Sequence, residues 1–266
     1  MDPPRDAVVD GGNTTVVGDL LSRERRSADP ALYDAVSDRE FSYHDLITTS
    51  YRACNVLRYL GTTGGSQVQI EPELAPKPLF TFFGAALLGA SVSFAPPTDP
   101  NPDDAPAATV VPARREREFD LPPGSKLAVY GGEPDDPRTT HWETEAWSEN
   151  PGVPPYDVAP DDVLLEVDAD VPGAGTVVTH AAALEAAAVA ASGMDLSADD
   201  RVAVCGSPTD PRVLAAAVLA PITVGATVVL PGGRDHGPAD VTVAVVDTGT
   251  TGGDVVTFEV ERIDLP

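Results

Sequence analysis

Two hydrophobic periods take turns along this chain, one near 3.6 residues and one near 2, and their alternation predicts its elements. Over 16–28 (VVGDLLSRERRSA) the apolar positions fall at helical spacing until Asp29-Pro30 breaks the run. Ala31–Val36 and Glu40–Tyr43 flank the polar turn Ser37-Asp38-Arg39 and read as a hairpin. Ser42, followed three residues later by Asp45, marks the start of a helix over about 43–60 that stops at Gly61. The strand Gln67–Ile70, an almost wholly apolar helix over 76–89 and the strand Ser91–Ala95 follow. Five prolines within 96–106 allow only loop. Ala107–Val111 and Lys126–Tyr130 read as short strands, and the polar stretch 131–161, which holds both tryptophans, reads as a surface connection.

The alternation then repeats. Strands are predicted at Val163–Val167 and Thr176–Val178, a helix over 180–192, and a strand at Arg201–Cys205. An Ala-rich helix over 211–224 and a strand at Ala226–Leu230 complete the run. Strand–helix alternation implies βαβ units and a mostly parallel sheet covered on both faces, so the predicted class is α/β with two βαβ-type lobes. The expected division is a first lobe over 1–150 with a long polar linker at its end, a second over 151–232, and a tail over 233–266. In that tail, strands near 241–246 and 255–260 flank a Gly/Thr turn and read as an antiparallel hairpin.

Composition changes the picture mainly through charge. The 266 residues carry Asp+Glu 42 against Lys+Arg 17, a formal net charge of −25, with Lys77 and Lys126 as the only lysines. Such a polyanion repels nucleic-acid phosphates and anionic membrane surfaces. No apolar run approaches the roughly 20 residues that span a bilayer, and the N-terminal Met1–Asp6 lacks the apolar core of a signal peptide. The expected location is cytoplasmic. Carboxylates are dispersed along the chain and not concentrated in one block. That pattern matches a surface adapted to a high-salt cytoplasm, where screening over a few Å removes most self-repulsion.

Conventional chemistry is scarce. Cys54 and Cys205 stand apart and read as small buried hydrophobes. His44, His141, His180 and His236 have no metal-site spacing, and no serine stands in a Gly-x-Ser-x-Gly turn. No metal site and no catalytic residue is predicted. There is no Gly-x4-Gly-Lys-Ser/Thr loop, and Gly173-Ala174-Gly175 lacks the third glycine of a dinucleotide turn, since Val178 stands there.

The order of segments is more specific than any one of them. Asp19-Leu20-Leu21 and Pro30-Ala31-Leu32 precede Phe41-Ser42-Tyr43-His44-Asp45-Leu46, Val68-Gln69-Ile70 and Phe83–Ala90. Pro160–Leu165, Gly175-Thr176-Val177-Val178-Thr179-His180, Leu196–Val202 and Gly225–Leu230 come next. Over 16–231 this succession resembles the N-terminal half of the large domain of acyl-adenylate-forming enzymes: acyl-CoA synthetases, peptide-synthetase adenylation domains and luciferases. The resemblance implies a truncated adenylate-forming fold and places an ATP-phosphate loop before Thr179-His180.

In that family the loop is rich in Thr, Ser and Gly and ends in Pro-Lys-Gly. Here 166–175 reads EVDADVPGAG, with Ala174 where the lysine would be and Glu166, Asp168 and Asp170 on the approach. At about 4 Å a like-charge pair costs on the order of 1 kcal/mol in water and several times more when partly buried. The candidate ligand-binding residues are therefore Gly173, Gly175, Thr179 and His180. Thr179 is expected as a helix N-cap, His180 as a first-turn residue, and the two glycine N–H groups as the possible remnant of an anion site.

Thr248–Gly253 has the loop's composition but lacks Pro-Lys-Gly and leads into a strand, so it reads as a turn. No counterpart is found for the family's later adenine- and ribose-gripping segments or its mobile C-terminal domain. The expected function is a catalytically degenerate, acyl-CoA synthetase-like protein acting as a binding or regulatory partner, without cofactor unless the degenerate loop still holds ATP or AMP. Its expected partners are a full-length acyl-CoA synthetase or a second copy of itself. The alternatives are an active ligase completed by another subunit and a stand-alone small-molecule binding module.

With a formal net charge of −25 on one chain, self-repulsion should destabilise the folded state in dilute buffer. Thermal melts in low and in molar KCl are expected to differ widely; a melting temperature that barely moves would show that the acidity is not an adaptation to salt.

Overall fold

The computed structural model describes residues 14–152, 157–167, 177–231, 241–246, 256–263 and 265. Strand β1 (Pro30–Asp34) and strand β2 (Arg39–Ser42) form the predicted antiparallel pair. Helix α1 (Tyr43–Tyr59) starts where the sequence predicts: the Ser42 hydroxyl accepts from the Asp45 N–H at 3.1 Å, and the Asp45 carboxylate accepts from the Ser42 N–H at 3.1 Å. After β3 (Gln67–Ile70), helix α2 (Pro76–Leu88) opens on a proline at its first position and ends at Gly89, whose φ of 70° is the left-handed helix cap that glycine adopts without strain. Phe82, Phe83, Ala85 and Ala86 of α2 are wholly buried, as an all-round apolar helix requires.

Strands β4 (Ser91–Ser93), β5 (Ala108–Pro112) and β6 (Lys126–Tyr130) follow. The segment read as a surface connection instead adds β7 (Thr140–His141) and helix α3 (Trp142–Ser148). Trp142 is 4% exposed there, whereas Trp147 is 78% exposed. The polar surroundings hid this element, because its buried residues Trp142 and Ala146 are only four apart and make too short a stripe to show a period.

Strands β8 (Val163–Glu166) and β9 (Val177–Thr179), helix α4 (His180–Gly193) and strand β10 (Arg201–Val204) come next. The Ala-rich helix is α5 (Pro211–Leu214), a π-helical turn over Ala215–Leu219, and α6 (Ala220–Val224). Pro221 has no N–H to donate, and the wider turn just before it lets Ala220 N–H reach Ala215 O. Strands β11 (Thr227–Leu230), β12 (Val243–Val246) and β13 (Val256–Glu259) complete the chain.

The strands form two mostly parallel sheets, one ordered β13-β12-β10-β11-β1-β2 and the other β7-β6-β5-β3-β4-β8-β9. In the first only β2 runs antiparallel, and in the second only β9. The predicted C-terminal antiparallel hairpin is corrected: β12 and β13 pair in parallel, Val243 opposite Val256 and Val246 opposite Glu259. Alternating apolar residues around a Gly/Thr turn suit either direction, and tertiary pairing decides.

Neither sheet is a consecutive block of chain. β1 and β2 join β10–β13, while β8 and β9 extend the sheet begun by β3. The predicted helix over 16–28 is two short 3-10 turns, Val17–Leu21 and Arg23–Arg25, because Ser22 between them is extended (φ −60°, ψ 149°). Val17, Leu20 and Leu21 are wholly buried. Cys54 is buried as expected, and burial pushes its thiol pKa up to about 12; Cys205 is exposed, contrary to expectation.

Helices α1 and α2 lie side by side, α1 against β1 and β2 and α2 against β3 and β4. They approach closely at Gly84, where a Cβ would fall 2.6 Å from the Cys54 amide nitrogen and 2.9 Å from the Ala53 carbonyl carbon. Those are backbone atoms, so neither can rotate away. Gly84→Ala is expected to lower stability by about 1–3 kcal/mol through overpacking, read by urea denaturation; an unchanged midpoint would show that the helices separate freely.

Candidate functional site

In open α/β sheets ligands bind beyond the carboxyl ends of the strands. Here a cleft of about 620 Å³ lies at those ends in both sheets at once. From one sheet it takes Asp34, at the end of β1, Gly206–Pro208 after β10 and Pro231 after β11. From the other it takes Pro72–Lys77 after β3, Pro112–Arg114 at the end of β5, and Tyr130 and Gly131 at the end of β6.

The polar floor is a linked set. Tyr130 donates its hydroxyl to Glu73 Oε2 at 2.7 Å, and Arg114 Nη2 lies 3.3 Å from Glu73 Oε1. Burial, and the carboxylate it donates to, raise the Tyr130 pKa, so the phenol stays protonated. Behind it, the buried Glu71 pairs with Arg115 Nη1 at 2.5 Å, and Arg115 Nε donates to Glu118 at 2.8 Å. Lys77 Nζ, 3.5 Å from Glu143 Oε1, adds a second cation on the rim.

Arg114 and Lys77 are the cations that could hold an anionic group, while Leu74 and several prolines supply apolar wall. Among the described residues no histidine lines the cleft, and Ser207 Oγ lies 2.7 Å from Thr209 Oγ1, so nucleophile–base geometry is lacking there. No group of three or more His, Cys, Asp or Glu side chains that could hold a metal occurs among the described residues. Glu73, Arg114 and Tyr130 were not singled out by sequence reading. The usable signal was positional, since Glu71–Glu73 directly follow β3 and Arg114 directly follows β5.

Of the residues singled out from sequence, Gly173 and Gly175 lie outside the described residues, as do Asp168, Asp170 and Ala174. Thr179 ends β9 and caps α4, its hydroxyl accepting from the Ala182 N–H at 3.2 Å. His180 opens α4 with its side chain fully buried, and its Nδ1 accepts the Val17 N–H at 3.2 Å. Accepting at Nδ1 leaves the proton on Nε2, which has no hydrogen-bond partner among the described residues. Burial lowers the His180 pKa to about 4, against the opposing pull of Asp162 and Asp19. His180 thus ties α4 to the 3-10 turn at Val17–Leu21. Glu166 is turned onto the sheet: Ser91 Oγ donates to its Oε1 at 2.5 Å and Gln67 Nε2 donates to its Oε2.

No protein-family model and no curated protein matches the sequence. Solved structures do match the fold. The anthranilate CoA ligase AuaEII, in complex with anthranoyl-AMP, matches with a TM-score of 0.70 and 17% identity over 86% of this chain and 49% of its own. A benzoate CoA ligase from Burkholderia xenovorans LB400 matches at 0.69 and 19%, over 86% and 50%. The N-terminal domain of FACL13 from Mycobacterium tuberculosis matches at 0.67 and 19%, over 86% and 62%. The architecture is therefore that of the N-terminal domain of acyl-CoA ligases, and the chain spans about half the length of the first two enzymes.

Thr179→Ala should cost about 1 kcal/mol of stability through loss of the cap. For His180 the folded pKa lies below the unfolded value of 6.5. The unfolded chain therefore takes up the proton first, and stability falls as pH drops from 6.5 towards about 4. The loss is on the order of 3 kcal/mol at about 1.4 kcal/mol per pKa unit. Denaturation across that window should show a shallower fall for His180→Asn than for the native chain; parallel curves would remove His180 from the account.

Proposed function

We propose that this chain is a non-catalytic relative of the adenylate-forming enzymes that binds a small organic anion, or a protein partner, without activating a carboxylic acid. The observation that carries the binding reading is the strand-end cleft, which keeps the cations Arg114 and Lys77 at its mouth. Sequence supports it from the other side. Where ATP phosphates would need hydroxyls and a lysine, the chain offers Asp168, Asp170 and Ala174. Carboxylates beside a tetra-anionic ligand oppose binding. The anthranoyl-AMP in complex with AuaEII marks the kind of molecule that one enzyme of this fold holds.

Calorimetric titration in high salt is expected to show no saturable heat with ATP at millimolar concentration. No pyrophosphate should be released from ATP with acetate, longer fatty acids or amino acids. Turnover above background that disappears on changing residues 166–180 would overturn the non-catalytic reading. Turnover that appears only when a longer synthetase is added would favour a ligase completed by another subunit, for which the half-length match is the supporting observation.

A further inference from the structure

A second cleft, of about 510 Å³, opens between the β1–β2 pair, α1, the start of α2 and α3. It shares only Asp34, Pro76 and Lys77 with the strand-end cleft. Its size falls in the range of small-molecule sites, and its lining is aromatic: Phe41, Phe80, Trp142 and Trp147. Phe41 and Phe80 meet edge to face with centroids 5.5 Å apart. Arg39 lies 4.5 Å from the Phe41 centroid and Arg52 lies 5.4 Å from that of Trp147.

Its electrostatics differ from the rest of the surface. The chain has 42 acidic residues against 17 basic ones, yet neither Arg39 nor Arg52 forms an ion pair among the described residues. Arg52 Nε has no hydrogen-bond partner among the described residues. The cleft's carboxylates are already engaged. Asp34 accepts from Val36 N–H and Ser37 Oγ, Asp45 from Ser42, and Glu143 from Gly131 N–H while pairing with Lys77 and His141. Two guanidinium groups thus lie over an aromatic floor without a carboxylate partner among the described residues, and Trp147 is left 78% exposed beside them. Rings recognise a planar apolar body, and guanidinium forks recognise a carboxylate or phosphate.

We propose that this cleft is a binding site for a planar aromatic anion, with its ring against Phe41, Phe80 and Trp147 and its acidic group held by Arg39 and Arg52. The proposal is independent of the strand-end cleft, because neither arginine lines it.

The chain's only tryptophans, Trp142 and Trp147, both line this cleft, so their two indole N–H resonances report its occupancy. 2-Naphthoate should bind saturably by calorimetry and shift both resonances. Its neutral isostere 2-naphthamide and the ringless anion acetate should each bind at least about tenfold more weakly, the equivalent of about 1.4 kcal/mol. Arg39→Gln/Arg52→Gln should lose a similar factor with its melting temperature unchanged, whereas Arg114→Gln, in the other cleft, should bind as the native chain does. No saturable binding, equal affinity for 2-naphthamide, or loss of binding in Arg114→Gln with retention in the double variant would each overturn the proposal.

Discussion

The close approach of α1 and α2 at Gly84 sets the geometry of the rest. One helix carries the sheet that contains β1 and β2, the other the sheet that contains β3 and β4. Only a residue without a side chain lets the α2 backbone come within van der Waals reach of Ala53 and Cys54. The spacing of the helices becomes the spacing of the sheets, and the strand-end cleft is the gap left where both sheets present their carboxyl ends. A second tie reinforces it: Val17 donates to the buried His180, and Tyr51 donates its hydroxyl to Leu21 O at 2.8 Å, so the short N-terminal turn links α1 and α4. An uncharged imidazole is what that position needs, since burial penalises the cation by more than the pull of Asp162 and Asp19 returns.

The acidity has a local use. Asp19, Asp45, Asp162 and Asp200 each accept a backbone N–H three or four residues away, stabilising turns and helix starts. Glu116 is the buried case. Burial would raise its pKa, but the N–H groups of Asp135 and Asp136 outweigh that and hold it below the usual carboxylate range. The exposed Arg138–Asp136 pair lowers the Asp136 pKa to about 2 yet is open to solvent, where such pairs add little to stability. Arg39 and Arg52 of the aromatic cleft, which lie over rings and pair with no carboxylate among the described residues, stand out against this background of locally engaged carboxylates.

Sequence reading reached the long elements because their signals are local. Ser42 and Asp45 fix the start of α1, Pro76 and Gly89 bracket α2, and Thr179 caps α4, whatever the rest of the chain does. It failed where the signal was short or the decision non-local. Cys205 ends an apolar run and so reads as buried, but its position beyond the last residue of β10 leaves it exposed. The stripe of α3 is only seven residues long and sits in a polar stretch, so its buried Trp142 went unseen. The candidate site followed the same rule. Thr179 and His180 were visible as a local pair, whereas Glu73, Arg114 and Tyr130 come together only because β3, β5 and β6 are neighbours.

By itself, then, the sequence determined the strand–helix alternation, the helix caps, the α/β class and the acidic, lysine-free run before Thr179, because each depends on residues a few positions apart. Tertiary structure alone decided which strands share a sheet, that β12 and β13 run parallel, and that β1 pairs with β11 some two hundred residues away. It also decided what lines the two clefts. Strand partners are chosen by burial of whole faces and by the reach of the connections, and neither quantity is written in any short window of residues.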